Sequence, residues 1–521
     1  MIHISQSNGV IILLVTFIVT LRYVSSRNKS TRLPPGPRGL PILGNVFQLD
    51  TERPWVTYGK WKKRYGPLVY LNMAGQPILV LNSQKAVQDL LDHRPTKYSD
   101  RPSWIVANEI TGGLDLPVMR YGELWRRMRK ASDIPLGVKA SSNYHRVQTE
   151  QSILLAHGLL SGSENWGFHV ERTSISIVLS LVYDMPTVQS LDEPSVRHMD
   201  TLLDGVSAAI LPGAYLVDIF PVLRHLPLVL SKWRRDAQKD CQKLTSWLTG
   251  MFLPIKNRAL KGEEQPPSFC ATLAESQTRH GMSDEECAWI AGVLYGAGQE
   301  TTGTVLKWFL LAMVSYPHVQ EKAQDELDRV VGRARPPSFS DMKHLPYIQA
   351  IVKEILRWQT PLTVGVPHAT SEDDYYEGYF IPKGTVCMAN VMGLHRDPEI
   401  YGPDADEFRP ERHLNDDGEI KDEKSQGHFT YGFGHRICVG RHVANNSLFI
   451  AIAIMLWAMK ITSVKDEKGN SVKPDLEGAP GMLWRPKPFD LKVEPRFQDA
   501  AVLIQQARDD VMQDSIARSQ I

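Results

Sequence analysis

The chain has 521 residues, enough for three or four domains at about 150 residues each, with 59 basic and 58 acidic residues and a formal net charge of +1. Its 42% apolar and 22% charged residues exclude a disordered, collagen-like or polytopic membrane protein, and the near-neutral balance excludes a nucleic-acid binder, which needs a basic footprint. The five cysteines, Cys241, Cys270, Cys287, Cys387 and Cys438, contain no pair at CxxC spacing, so no disulfide framework or zinc motif is expected and a reducing compartment fits best.

The first element is a membrane anchor. Val10 to Leu21 reads VIILLVTFIVTL without a charge, and Arg22 is the only charge between Gly9 and Val24. Such a run is short for a transmembrane helix, but Arg22 can snorkel to the interface. Arg22, Arg27, Lys29 and Arg32 follow it, with no acidic residue before Asp50, which puts the C-terminal side in the cytosol. A cleaved signal peptide would carry its charges before the apolar run and a small-residue site after it, and neither is found. LPPGPRGLPILGN, Leu33 to Asn45, has too many prolines for a helix and reads as a stiff extended linker. The expected organisation is an anchor over 1–24, a basic and proline-rich hinge over 25–46, and one large domain over 47–521.

Within that domain, helical periodicity marks 55–65, 83–93, 121–132, 145–160, 170–183, 196–210 and 233–258. Residues 67–72 and 77–82 form a hairpin candidate, and 259–270 read as loop. Ser283 and Glu286 form a capping box that opens an apolar helix running to Ser315, stopped by Pro317. Apolar nearly all round, it must be buried. Its middle, Gly296-Ala-Gly-Gln-Glu-Thr-Thr-Gly303, is costly in a buried helix and implies close backbone approach or a local opening, placed at Gly298. Helices are expected at 318–330, 341–358 and 441–460, and extended pieces at 363–367, 376–381, 385–390, 461–465 and 489–493. Residues 395–437 read as a long loop.

The chemistry centres on Phe429 to Arg441, FTYGFGHRICVGR. Gly432, Gly434 and Gly440 let backbone amides approach Cys438, and the helix that follows favours a thiolate at its N-terminus. A thiolate so held is a nucleophile, with His435 or His442 as its base, or a metal ligand that needs only amide donors and an apolar pocket. The other four cysteines read as small buried hydrophobes. The segment Tyr431-Gly-Phe-Gly434-His-Arg436-Ile-Cys438-Val-Gly440 resembles the haem-binding signature of the cytochrome P450 superfamily, F-x-x-G-x-R-x-C-x-G. Tyr431 departs from it where phenylalanine is usual.

Further motifs carry the same resemblance in the family's order. Ala297-Gly-Gln-Glu300-Thr301-Thr302 is similar to the oxygen-activating box, whereas a dinucleotide loop is rejected on its spacing and its lack of a preceding strand. Glu354-Ile-Leu-Arg357 and Phe408-Arg-Pro-Glu-Arg412 resemble the pieces of a buried charge triad, Glu354, Arg357 and Arg412. Trp125-Arg-Arg-Met-Arg129 and His368 match positions that meet the haem propionates, as does Arg436. The resemblance implies a mainly α fold with small β-sheets, the cytochrome P450 fold, preceded by a single N-terminal transmembrane helix. It implies haem b with Cys438 thiolate as axial ligand, Gly440 beside it, and proton delivery by Glu300 and Thr301.

Family geometry places Val106, Ile110, Leu211, Ala297, Leu362, Val364 and Leu483 around a substrate pocket. These aliphatic residues suit an apolar molecule: a terpenoid or related secondary metabolite, with aromatic, polyketide or xenobiotic substrates as alternatives. The resemblance implies a monooxygenase using O2 and electrons from NADPH through a separate cytochrome P450 reductase, with cytochrome b5 a further candidate partner. A haem-thiolate isomerase or dehydratase is a minor reading, because the acid–alcohol pair is intact, and a non-enzymatic haem protein would not need that pair. The implied location is the endoplasmic reticulum membrane, with the catalytic domain on the cytosolic side. Details such as Val-Pro-His-Ala-Thr resemble basidiomycete members of secondary metabolism. The motifs, spread from Trp125 to Gly440, would all meet one haem, so one catalytic domain replaces the three or four that length alone allows.

Overall fold

The computed structural model describes residues 32–211, 213–421 and 426–519. The anchor expected over 1–24 and the start of the hinge lie outside these residues. Among the described residues no helix is long and apolar enough to cross a membrane.

The proline-rich segment is not a free linker. It runs along the edge of a small sheet, where Tyr70 N donates to Pro35 O at 2.8 Å and Asn45 N to Asn72 O at 2.7 Å. After α1 (Pro54–Tyr65), β1 (Leu68–Met73) and β2 (Gln76–Leu81) form the expected antiparallel hairpin, with Leu68 opposite Leu81. Two later strands, β3 (His368–Ala369) and β6 (Val386–Ala389), complete a sheet of order β1-β2-β6-β3, with β6 parallel to β2. Three two-stranded ribbons are peripheral: β4 (Asp374–Tyr376) with β5 (Tyr379–Ile381), β7 (Met459–Ser463) with β10 (Leu491–Pro495), and β8 (Gly478–Ala479) with β9 (Arg485–Pro486). Residues 363–367 form turns instead of the expected strand, with Gly365 in the left-handed region at φ 62° and its N–H bonded to Leu362 O.

Helices supply the rest: α2 (Ile105–Ile110), α3 (Glu123–Leu136), α4 (His145–Ser161), α5 (Trp166–Tyr183), α6 (Pro194–Ile210), α7 (Lys232–Leu260), α8 (Phe269–His280), α9 (Asp284–Ser315), α10 (Pro317–Val330), α11 (Pro346–Trp358), α12 (Arg441–Ala458) and α13 (Ala500–Ser519). The helix expected over 341–358 splits at Pro346, whose missing N–H suits a first turn. Part of the expected loop is the start of α8, capped by Ser268, whose Oγ accepts from Ala271 N at 3.2 Å. The terminal helix α13 was not anticipated.

The long helix α9 organises the interior. Its capping box is present, with Ser283 N donating to Glu286 Oε2 at 2.9 Å and Glu286 N to Ser283 Oγ at 3.1 Å. Its 32 residues span about 48 Å. Cys287 to Tyr295 pack into one apolar cluster with α5, α6, α7 and α8. Val305 to Met313 pack into a second with α4, α10, α11 and α12. The glycine-rich stretch lies between the two clusters. No opening occurs at Gly298, because α9 is continuous α-helix throughout. The glycines instead admit neighbours. A Cβ at Gly296 would lie 2.9 Å from a Leu203 methyl, and one at Gly298 2.7 Å from a Val178 methyl.

Candidate functional site

The cysteine loop leads into α12 through a chain of local constraints. Gly434 has φ 54°, and a Cβ there would stand 2.1 Å from Leu91 O, so only glycine fits. Its N–H donates to Asp92 Oδ1 at 2.6 Å. Cys438 N donates to Tyr431 O at 2.8 Å, closing the loop. Tyr431, the departure from the family pattern, uses its hydroxyl to donate to Asn445 Oδ1 at 2.6 Å, which ties the loop to α12.

Cys438 is exposed, whereas Cys270, Cys287 and Cys387 are buried and Cys241 is half-buried. Burial of the surrounding loop pushes the Cys438 thiol up, and the backbone N–H groups of Gly440 and Arg441 act against that by bonding the sulfur. The sulfur therefore faces open space while receiving amide donors, as a metal-ligating thiolate requires. His435 is engaged elsewhere, its Nδ1 lying 3.0 Å from Tyr121 Oη. Among the described residues no hydrogen bond joins Cys438 Sγ to an imidazole, which removes the support for the nucleophile reading.

Helix α12, which follows the cysteine, packs against α9. Val439 and Val443 beside the cysteine pack in one cluster with Val293 and Leu294 of α9. Ala297 is exposed in the middle of this otherwise buried helix, and Thr301, one turn on, is half-buried. Thr301 Oγ1 donates to Ala297 O at 2.8 Å, so its hydroxyl lies along the same face. Glu300 points elsewhere: its Oε1 accepts from Arg485 Nη2 at 2.8 Å.

A second group of residues gathers positive charge. Arg436 donates to Ser99 O, Leu116 O and Met119 O at 2.9, 3.0 and 2.8 Å. Its guanidinium lies 4.4 Å from the Trp125 ring centroid. The Trp125 indole N–H donates to Leu116 O at 3.3 Å, so the ring serves as a platform for Arg436 and its own N–H is already engaged. Arg129 donates to Ile437 O at 2.6 Å, beside the cysteine. The sequence reading missed Arg101, whose buried guanidinium donates to Pro117 O, Val366 O and Pro367 O at 2.7, 2.8 and 2.7 Å. No motif at the sequence level marked it; its burial is the signal.

Burial, with repulsion from Arg436, pushes Arg101 well below its ordinary value. Burial likewise pushes Arg436 down to about 9, helped by Arg129 and opposed by Asp100. Buried like charges of this kind call for an anion. His368 is also held well below its ordinary value, by burial and then by Arg101, and its Nδ1–H donates to Tyr98 O at 2.7 Å. An anion at this site therefore meets the arginines as its cations, with the imidazole neutral beside them. An exposed, amide-bonded cysteine together with an arginine cluster that needs anions fits a haem with its two propionates.

Beneath the loop lies the charge triad. Arg357 Nε and Nη2 donate to the Glu354 carboxylate at 2.8 and 2.7 Å, and Arg412 Nε donates to Glu354 Oε1 at 2.9 Å. His413, not foreseen, adds Nε2 at 2.9 Å from Glu354 Oε2. Burial raises the Glu354 carboxyl, but the bonds from Arg357 and His413 outweigh it and hold it at about 2.

The pocket expectations divide. Ala297 is exposed and Leu362 and Val364 are half-buried. Val106, Ile110 and Leu483 are buried in the core. Leu211 is corrected: α6 ends at Ile210, the chain turns extended at Leu211, and its side chain is 57% exposed on the surface.

Comparison with known proteins agrees with this geometry. The family model described as Cytochrome P450 matches residues 34–493. A cytochrome P450 monooxygenase of Armillaria gallica is 48% identical, covering 95% of this chain and 96% of its own length. Cytochrome P450 monooxygenase 58 of Postia placenta is 45% identical over 94% of this chain and 93% of its own. Cytochrome P450 monooxygenase iboC of Amanita muscaria is 36% identical over 92% and 94%.

Proposed function

The chain belongs to the cytochrome P450 monooxygenase family, and from that premise we propose that it is a membrane-anchored enzyme that hydroxylates or further oxidises an apolar small molecule, a terpenoid or related secondary metabolite. The observation that carries the catalytic reading is Cys438, exposed while receiving the amides of Gly440 and Arg441. Cys438 would hold the haem, which would supply oxygen activation when bound. Arg101, Arg129 and Arg436 would hold its propionates, with the Trp125 ring under Arg436. Thr301 Oγ1 holds a water and Glu300 passes protons to it from solvent. Ala297, Leu362 and Val364 present an aliphatic wall that excludes water from the substrate side.

Electrons come from NADPH through a separate reductase. Membrane attachment rests on the apolar run Val10 to Leu21 with its basic flank, and places the enzyme at the cytosolic face of the endoplasmic reticulum.

The test uses the full chain with a reductase in microsomes, fed a panel of apolar scaffolds under 18O2 and read by mass spectrometry. An NADPH-dependent product carrying the label is expected, and products without label would overturn the monooxygenase reading. The reduced, CO-bound difference spectrum should show the red-shifted thiolate Soret band, and Cys438→Ser should lose it. Retention of that band in the variant would remove Cys438 as ligand.

A further inference from the structure

Helix α3 and the cysteine loop meet through a row of aromatic rings. Trp125 is buried, and its ring centroid lies 5.1 Å from that of Tyr121, within the range of packed aromatic pairs. Tyr121 is half-buried and stacks on His435, with centroids 5.8 Å apart and ring planes 17° from parallel. His435 is exposed. The three rings therefore run from the arginine cluster, where Arg436 lies against Trp125, out to solvent. The backbone holds the outer two in place. Tyr121 N–H donates to Asp100 Oδ1 at 2.9 Å, and Gly434 N–H, next to His435, donates to Asp92 Oδ1 at 2.6 Å.

Tyr121 and His435 are also joined by a hydrogen bond. Oη lies 3.0 Å from Nδ1 and has no other hydrogen-bond partner among the described residues. A neutral imidazole with its proton on Nε2 accepts the phenol proton at Nδ1. Burial, then repulsion from Arg129, holds His435 below its ordinary value, which keeps the ring neutral at pH 7. Tyr121 thus has a proton acceptor at its oxygen. A phenol that loses an electron becomes a strong acid, so such an acceptor makes the loss easier. Neighbouring cations sharpen the contrast with Trp125. Arg436 lies 4.4 Å from the Trp125 centroid and Arg126 5.7 Å from that of Tyr121, and a cation over a ring disfavours positive charge on it. Tyr121 escapes that penalty by passing its proton to His435. The Trp125 N–H faces only the backbone carbonyl of Leu116, a poor proton acceptor.

We propose that Tyr121 and His435 form a redox-active pair that drains unused oxidising equivalents from the haem pocket to the surface. The inference rests on the haem site read at Cys438. When that site is oxidised with no substrate to take the oxygen, one electron passes inward from Tyr121 through the Trp125 ring. The Oη proton moves to His435 Nδ1, leaving a neutral tyrosyl radical and an imidazolium. A cellular thiol then gives one electron to the radical, and the imidazolium returns its proton to Oη. The thiol leaves as a thiyl radical, its own proton passing to solvent. Each cycle returns one electron to the pocket and consumes no side chain.

The test compares wild type, Tyr121→Phe, His435→Leu and His435→Gln as full-length haem-loaded protein without substrate. The phenylalanine keeps the ring stack and loses the hydroxyl, and the glutamine keeps an acceptor. After mixing with hydrogen peroxide and rapid freezing, electron paramagnetic resonance should show a tyrosyl radical in wild type. Tyr121→Phe should lose it. His435→Leu should lower it about tenfold, the scale of one strong hydrogen bond, and His435→Gln should keep most of it. With reductase and NADPH but no substrate, Tyr121→Phe should lose its CO-bound thiolate band in fewer cycles than wild type. Added thiol should prolong the band in wild type and not in Tyr121→Phe. A radical of wild-type size in Tyr121→Phe would overturn the assignment, and equal survival of the two proteins would overturn the draining role. A ruthenium photo-oxidant in solution separates the pair from the haem reading. It should also raise a Tyr121 radical that His435→Leu suppresses, and absence of that radical overturns the pair even where the thiolate band is intact.

Discussion

Glu354 is the most heavily bonded carboxylate beneath the haem-binding loop, wholly buried and held by Arg357, Arg412, His413 and the backbone N–H of Arg409. Removing one partner of such a group leaves the other charges unpaired in the interior. Glu354→Gln should therefore cost about 3–5 kcal/mol in denaturant unfolding, with earlier loss of bound haem. The pH dependence has a definite sign. Glu354 sits below its ordinary 4.5, so its stabilisation is full above that value and is lost as pH falls toward about 2. His413 is held down by burial despite its bond to Glu354, so its unfolded form binds protons more readily, and stability declines as pH drops below 6.5. The wild-type unfolding midpoint should fall between pH 7 and pH 5, and less steeply in His413→Gln. The triad was legible as E-x-x-R plus an arginine; His413 was not, because nothing in a linear pattern distinguishes a buried histidine from an exposed one. Arg101 escaped notice for the same reason.

Among the elements, α9 shows how one helix serves both core and site. Cys287 to Ala291 and Val305 to Met313 anchor two apolar clusters, while the glycine-rich centre between them brings the side chains of α5 and α6 close to the helix backbone. The expected opening at Gly298 failed because glycine's lack of a side chain is used for packing at that position. The terminal helix α13 lies beyond the family match, which ends at residue 493, and packs on α4. Ala500 and Ile504 are buried, and His157 of α4 pairs with Gln505 at 2.7 Å. Ending the chain at Gln498 should cost about 2–4 kcal/mol, the scale of exposing one or two buried aliphatic side chains, measurable as a lower denaturant midpoint. Ile504→Asp in the full chain should reproduce most of that loss by placing a charge in the same slot.

At the scale of the molecule, one surface stretch stands apart. Leu216, Phe220, Val222, Val229 and Leu230 are 66%, 55%, 72%, 82% and 70% exposed within fifteen residues of chain. Apolar exposure this dense marks a surface that meets another apolar phase. If the anchor proposed for 1–24 holds the chain at a membrane, the bilayer is the phase to test. The full chain should stay with membranes after a carbonate wash. A chain starting at Arg32 should retain salt-resistant binding to neutral phospholipid vesicles, and replacing Val222, Val229 and Leu230 with serine should abolish it. Vesicle binding unchanged by the three serines would assign the stretch to a protein contact instead.

The sequence by itself determined the chemistry and the scaffold that carries it. A cysteine among glycines before an apolar helix, an acid and an alcohol inside a buried helix, and E-x-x-R are short-range patterns, and short-range patterns are visible in one dimension. Tertiary structure decided what those groups face. It turned Glu300 toward Arg485, 185 residues away in the chain, set Trp125 under Arg436, and moved Leu211 to the surface. Burial and ion pairing are relations between distant segments, and they exist only once the chain has folded those segments together.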